Sequence, residues 1–218
     1  MVANFLVHNL ELVVILYALL IRSICAFLVL KIDRMFKISD YQGLRYIRNS
    51  FFFYGISFLA LFVVGKINPV PFPQFPQVIW FLFKFFILSA TLFLIYSLVW
   101  KKVERVKSHN SLLNPRSILI YIVALTLAFV GGHVFYITQI ILSLSILIIS
   151  LNNLIKNKNK YPFLKYYFLA ICASLLHWAM SYFLYLGAEF SPLLMGSIVA
   201  NLAFFLIFLG GILNISKK

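Results

Sequence analysis

Acidic residues are nearly missing from this chain. Five Asp and Glu stand against 19 Lys and Arg in 218 residues, and none of the five (Glu11, Asp33, Asp40, Glu104, Glu189) lies in the middle of a long apolar stretch. A proton-coupled pump ordinarily carries carboxylates inside its membrane spans, and a membrane-embedded hydrolase needs a nucleophile with a base, so both classes lose support. Cysteine is scarce too. Cys25 and Cys172 both fall in apolar stretches, which predicts free thiols and no disulfide framework. Charge of any kind is low: 11% of residues against 63% hydrophobic, where a soluble domain has roughly 25% and 45–50%. That composition excludes a soluble fold. Residues 1–20 hold no Lys or Arg and no small-residue cleavage site follows, so the first apolar run reads as a retained helix, not a secretion signal. Internal repeats and low-complexity tails are missing as well.

What the chain has is positive charge in a regular pattern. All but Arg22, Lys66 and Lys84 of the 19 Lys and Arg fall into four clusters between apolar stretches: Lys31/Arg34/Lys37/Arg45/Arg48, Lys101/Lys102/Arg105/Lys107/Arg116, Lys156/Lys158/Lys160/Lys165 and Lys217/Lys218. Membrane proteins retain Lys and Arg on the cytoplasmic side, so the alternation predicts a topology. The net charge of +14 does not point to nucleic acid, because a DNA or RNA footprint gathers charge on one water-facing surface. These charges punctuate hydrophobic spans instead, and are expected to touch anionic lipid on the cytoplasmic side.

A hydrocarbon core of about 30 Å takes about 20 apolar residues of helix. Residues 10–30, 46–64, 78–100, 162–186 and 191–213 each meet that need. The 39 uncharged residues between Arg116 and Lys156 would make one helix about 58 Å long, more than a bilayer accommodates. They are read as two spans, 117–133 and 137–155, reversing within 131–139 where Gly131-Gly132 weakens the helix. Parity agrees. With seven spans and an outer N-terminus all four clusters are cytoplasmic, whereas a single crossing would send the last two outside. The expected fold is therefore all-α: one domain over residues 1–218, a polytopic bundle of seven transmembrane helices integral to the cell membrane, with the N-terminus outside and the C-terminus cytoplasmic.

Connections of this length cannot hold a domain with its own core, so function is expected among the helices or in a partner. The four prolines in residues 68–77 predict a stiff extended connector, with a lid over an outer pocket as the alternative. Residues 32–45 mix Met35, Phe36, Ile38 and Tyr41 with basic side chains. They are read as a charge-rich turn on anionic lipid, with a surface helix docking a cytoplasmic partner as the alternative.

Polar residues within spans are the expensive ones. Arg22 lies twelve residues from Leu10 and nine from Lys31, near mid-membrane, where a charge costs about 2.5–3.5 kcal/mol. His177 and Asn201 fall at similar depth. Ser174, His177 and Ser181 share a helical face by i, i+3, i+7 spacing, as Ser197 and Asn201 do by i, i+4. If the first and last helices adjoin, Arg22, His177 and Asn201 meet in one pocket, with Lys84 looking in from its outer half or pairing with Glu11. Such a basic pocket suits an anionic or strongly hydrogen-bonding small molecule or a lipid headgroup. The plainer reading is that Ser, Asn and His bond neighbouring helices while Arg22 snorkels toward the inner leaflet. Gly196 and Ala200 read as a close helix contact.

Two known seven-helix plans depart from this chain at defining residues. Microbial rhodopsins hold retinal on a lysine of the last helix, and residues 191–213 contain none. Sugar transporters of the SWEET type place prolines in the first and fifth helices, and neither 10–30 nor 134–155 contains one. The general plan resembles the seven-helix sensory modules of prokaryotic signalling proteins, a likeness of architecture alone. No cofactor is expected: a bis-histidine haem needs two imidazoles on one iron, yet His133 and His177 differ in depth by about 15 Å of helical rise. No metal site is expected either, since His8, His133, Glu11 and Glu189 lack ligand spacing. The functional expectation is a sensory or ligand-binding membrane module, with a non-enzymatic role favoured, working through a separate cytoplasmic or membrane protein. The alternatives are a transporter of a small anionic or polar solute and a structural subunit of a membrane complex.

Overall fold

The computed structural model describes residues 10–39, 42–66, 75–103, 112, 114–156, 163–187 and 191–215. Seven helices form the regular structure among them: α1 (Leu10–Ser39), α2 (Gln42–Lys66), α3 (Phe75–Val103), α4 (Pro115–Phe129), α5 (Gly132–Lys156), α6 (Phe163–Tyr185) and α7 (Ser191–Ile215). Five contain stretches long and apolar enough to cross a membrane: Ile15–Lys37, Gln77–Val99, Gly132–Lys156, Phe163–Tyr185 and Pro192–Ile215. Their outward faces explain why. Leu169, Leu176 and Phe183 form one exposed stripe along α6, and Ile141, Leu144, Ile148 and Ile155 another along α5. Water does not tolerate apolar faces that extensive, whereas lipid does. The protein is an all-helical membrane protein.

Inside, aromatic rings do most of the filling. Phe51, Phe93, Phe204, Phe205, Phe208 and Tyr167 are fully buried, and edge-to-face pairs such as Phe51 with Phe208, 5.0 Å between centroids, link α2 to α7. Six helices close a ring in the order α1, α2, α3, α5, α6, α7 and back to α1. The first and last helices are neighbours. The fourth is not a ring member: α4 packs outside, against α3. With 15 residues it measures about 22 Å, less than the about 30 Å of a hydrocarbon core. Its buried residues are Ser117, Ala124 and Ala128, and Tyr121 packs edge-to-face on Phe53 of α2 and Phe93 of α3, 5.7 Å between centroids in each case.

The reversal between α4 and α5 falls at residues 130–132, at the start of the expected 131–139. Gly132 has a φ of +44°, a left-handed backbone that strains any residue with a Cβ, and a Cβ there would also displace the Tyr185 hydroxyl. Two connections differ from expectation. The segment 32–45 is not a turn but helix up to Ser39 and again from Gln42. Charge holds it: Asp33 pairs with Lys37 one turn on and with Arg48 of α2, and the Arg45 guanidinium lies 4.5 Å over the Phe36 ring. Of the proline-rich stretch, residues from Phe75 on form the first turn of α3, where Pro76 is tolerated. Its remainder, and with it the stiff connector and the lid, lies outside the described residues.

Contacts also fix helix direction. Arg48 meets Asp33, Tyr46 packs on Phe93 and Tyr96, Tyr167 donates to the Leu94 carbonyl and Asn214 donates to Tyr166. These pairs bring the ends of α1, α2, α3 and α6 that carry Lys31, Arg34, Lys37, Arg45, Arg48, Lys101, Lys102 and Lys165, together with the C-terminal end of α7, to one end of the bundle.

Candidate functional site

Away from the basic end, the ring helices leave a cavity of about 180 Å³. Its wall is aromatic. Tyr17 of α1, Tyr54 and Phe58 of α2, Trp80 and Phe83 of α3, Phe135 and Tyr136 of α5, Trp178 of α6 and Phe204 of α7 line it, with Ile87. Polar atoms come from Ser174, His177 and Ser181 on α6 and Asn201 on α7. Among the described residues no Lys, Arg, Asp or Glu is on the lining.

The polar groups are arranged by the α6–α7 contact. At Gly196 a Cβ would stand 3.0 Å from Met180 Sδ, so glycine lets the two helices approach. That brings Ser197 to α6: its Oγ lies 2.9 Å from His177 Nδ1 and 3.0 Å from Ser181 Oγ, and its carbonyl is 3.0 Å from the same imidazole nitrogen. One turn on, Asn201 donates through Nδ2 to the Tyr17 hydroxyl and ties α7 to α1. With Nδ1 engaged, His177 has its second ring nitrogen free of any hydrogen bond among the described residues, on a side chain that lines the cavity. The site thus offers ring faces and a few neutral donors and acceptors, which suits an uncharged, flat molecule with one or two hydrogen-bonding groups.

The structure brings together Ser174, His177, Ser181 and Asn201, with Ser197 bonded behind them. Arg22 and Lys84 do not join. Lys84 is half-buried on α3 and absent from the lining. Arg22 is exposed and lines a separate groove between α1 and α2, because Ile21, Cys25, Leu28 and Ile32 are the face of α1 turned inward. Among the described residues the cavity thus presents neutral polar groups, with neither Arg22 nor Lys84 on its lining.

Sequence reasoning passed over the aromatic lining and a buried chain beneath it. Tyr54 OH and Thr91 Oγ1 are 3.3 Å apart, and Thr91 lies 3.0 Å from Gln139 Oε1, joining α2, α3 and α5. Gln139 is fully buried, seven residues into α5 and not in the outer turn, and its Nε2 has no partner among the described residues. Its amide in an otherwise apolar run was the available signal. The aromatic wall had none, since rings make up 18% of the chain. Among the described residues no three His, Cys, Asp or Glu side chains converge as metal ligands. Comparison with protein-family models, with curated proteins and with solved structures gives no match to this chain.

Proposed function

We propose that this protein is a seven-span membrane module, N-terminus outside and C-terminus cytoplasmic in the cell membrane, that binds a small uncharged molecule in the aromatic cavity and acts through a separate partner protein. The observation that carries the reading is the lining itself: nine rings, with His177, Ser174, Ser181 and Asn201 supplying the polar atoms. A cavity of comparable size lined by apolar side chains takes up benzene. Here the added polar groups favour a ring bearing a hydroxyl or carbonyl over a bare hydrocarbon. Below the cavity the bundle is filled by Phe204, Phe208, Tyr167 and Ile212, which supports a sensor over a transporter, because a transporter needs a route to the second side.

Binding is testable with defined probes. Benzyl alcohol should quench or shift tryptophan emission of the purified protein, through Trp80 and Trp178, and bind about tenfold tighter than benzoate, which would bring an uncompensated charge inside. Ser181→Leu, which fills the cavity, should abolish the effect. Equal binding of benzoate, or binding untouched by Ser181→Leu, overturns the site. Topology has its own measurement: thiols introduced at Lys107 and Lys158, with Cys25 and Cys172 replaced, should label from the cytoplasmic side only. Labelling from opposite faces overturns the seven-span arrangement.

A further inference from the structure

The groove that holds Arg22 lies on the outer wall of the bundle. It has a volume of about 360 Å³ and runs between α1 and α2, with Ala26 and Gly55 on its floor and Phe52 and Leu59 along α2. A Cβ at Gly55 would stand 3.3 Å from Cys25 Cβ, so the helices touch there, near the middle of α2 and one turn from Arg22. The guanidinium is exposed and makes no hydrogen bond or ion pair among the described residues. An arginine at that depth facing lipid is costly, and such residues ordinarily pair or face a polar interior.

Among the described residues no carboxylate is placed to neutralise it. Asp33 is engaged by Arg48 and Lys37, and no Asp or Glu occurs in the middle of any apolar stretch. A second copy therefore brings no carboxylate to mid-depth. A lipid phosphate is the competing anion: the apolar stretch of α1 begins at Ile15, seven residues or about 10 Å from Arg22, and reaching that surface draws the guanidinium away from the part of the groove lined by Ala26 and Gly55. We propose that the groove seats a transmembrane helix of a different protein, whose Asp or Glu pairs with Arg22 inside the membrane. Ala26 and Gly55 keep the floor low enough for a helix backbone to approach. The proposal rests on the reading of the chain as a membrane module that acts through a partner, and it names the chemistry of that partner.

The test uses the full chain in phosphatidylcholine vesicles, with a fluorescent donor on Lys37→Cys in a Cys172→Ala background. Acceptor-labelled synthetic helices of about 20 leucine-rich residues, carrying a central Asp, Asn or Leu, serve as probes. The Asp helix should associate about tenfold more tightly than the Leu helix. Arg22→Leu should bring it down to the Leu level, and Arg22→Lys should retain part of the difference. Equal association of the three helices, or association indifferent to Arg22→Leu, overturns the proposal. Displacement of the Asp helix by phosphatidylglycerol also overturns it and assigns the groove to lipid. Arg22→Gln replaces Arg22→Leu if the latter does not fold. Benzyl alcohol binding should survive both variants, so failure of the groove and failure of the cavity are told apart.

Discussion

The two ends of the bundle are built from the same stock of rings and small hydroxyls, yet one is hollow and the other filled. The contrast can be followed along single helix faces. On α6, Tyr167, Ser174 and Ser181 follow one another at heptad spacing: the tyrosine is fully buried near the basic end, and the two serines leave space where the cavity begins. On α7 the same face runs from Ile212, Phe208 and Phe204 to Asn201 and Ser197. In the filled half Ser97 Oγ and the Tyr167 hydroxyl both donate to the Leu94 carbonyl, at 2.7 and 2.9 Å. In the hollow half polar groups line open space. Lipid supplies no driving force for burying rings, so interior shape is set by packing and hydrogen bonds. A serine in place of an aromatic residue is therefore enough to make a cavity.

The sharpest way to break this contrast is Phe208→Ala. Phe208 packs against Phe51, Tyr167, Phe204 and Phe163, with centroids 5.0, 5.1, 5.3 and 6.0 Å away. In a membrane most of the transfer free energy is missing, because the unfolded reference is also apolar. The void remains, at about 24 cal/mol per Å³, or about 2 kcal/mol for a lost ring of about 100 Å³. Thermal unfolding in detergent should show that loss for Phe208→Ala and little or none for Ser181→Leu, which adds volume to existing space. If the two variants lose equal stability, the halves do not differ in packing.

Much of this was legible in the sequence, and what was not has an identifiable cause. The membrane class followed from composition, the reversal from Gly131-Gly132, and the polar stripe of α6 from spacing alone. The direction of Arg22 did not follow. The α1 helix is apolar nearly all round, with Leu19, Leu20, Phe27 and Leu30 outward and Ile21, Cys25 and Leu28 inward, so periodicity gives no preferred face and leaves the rotation of the helix open. Arg22 sits one residue, or about 100°, from buried Ile21, and that single step separates the cavity from the groove. The place of α4 was hidden for a related reason: a span count assigns each apolar stretch a seat in the ring, and only packing reveals that α4 lies outside it, mainly against α3.

The smallest expected effect tests whether the filled end is closed by charge or by packing. Asp33 Oδ1 accepts from Arg48 Nη1 at 2.6 Å, and its other oxygen lies 3.4 Å from Lys37 Nζ. The Asp33 and Arg48 side chains are 32% and 22% exposed, and Lys37 is 74% exposed. Exposed pairs contribute about 0–1 kcal/mol; the Arg48 contact, shorter and better covered, belongs at the upper limit and the Lys37 contact at the lower. A double-mutant cycle between Asp33→Asn and Arg48→Gln should give a coupling of about 1 kcal/mol that shrinks with added salt, and the cycle with Lys37→Gln about zero. A coupling larger than the cost of Phe208→Ala would mean that the basic end is clamped electrostatically, and that its dense aromatic interior is a consequence of that clamp instead of its cause.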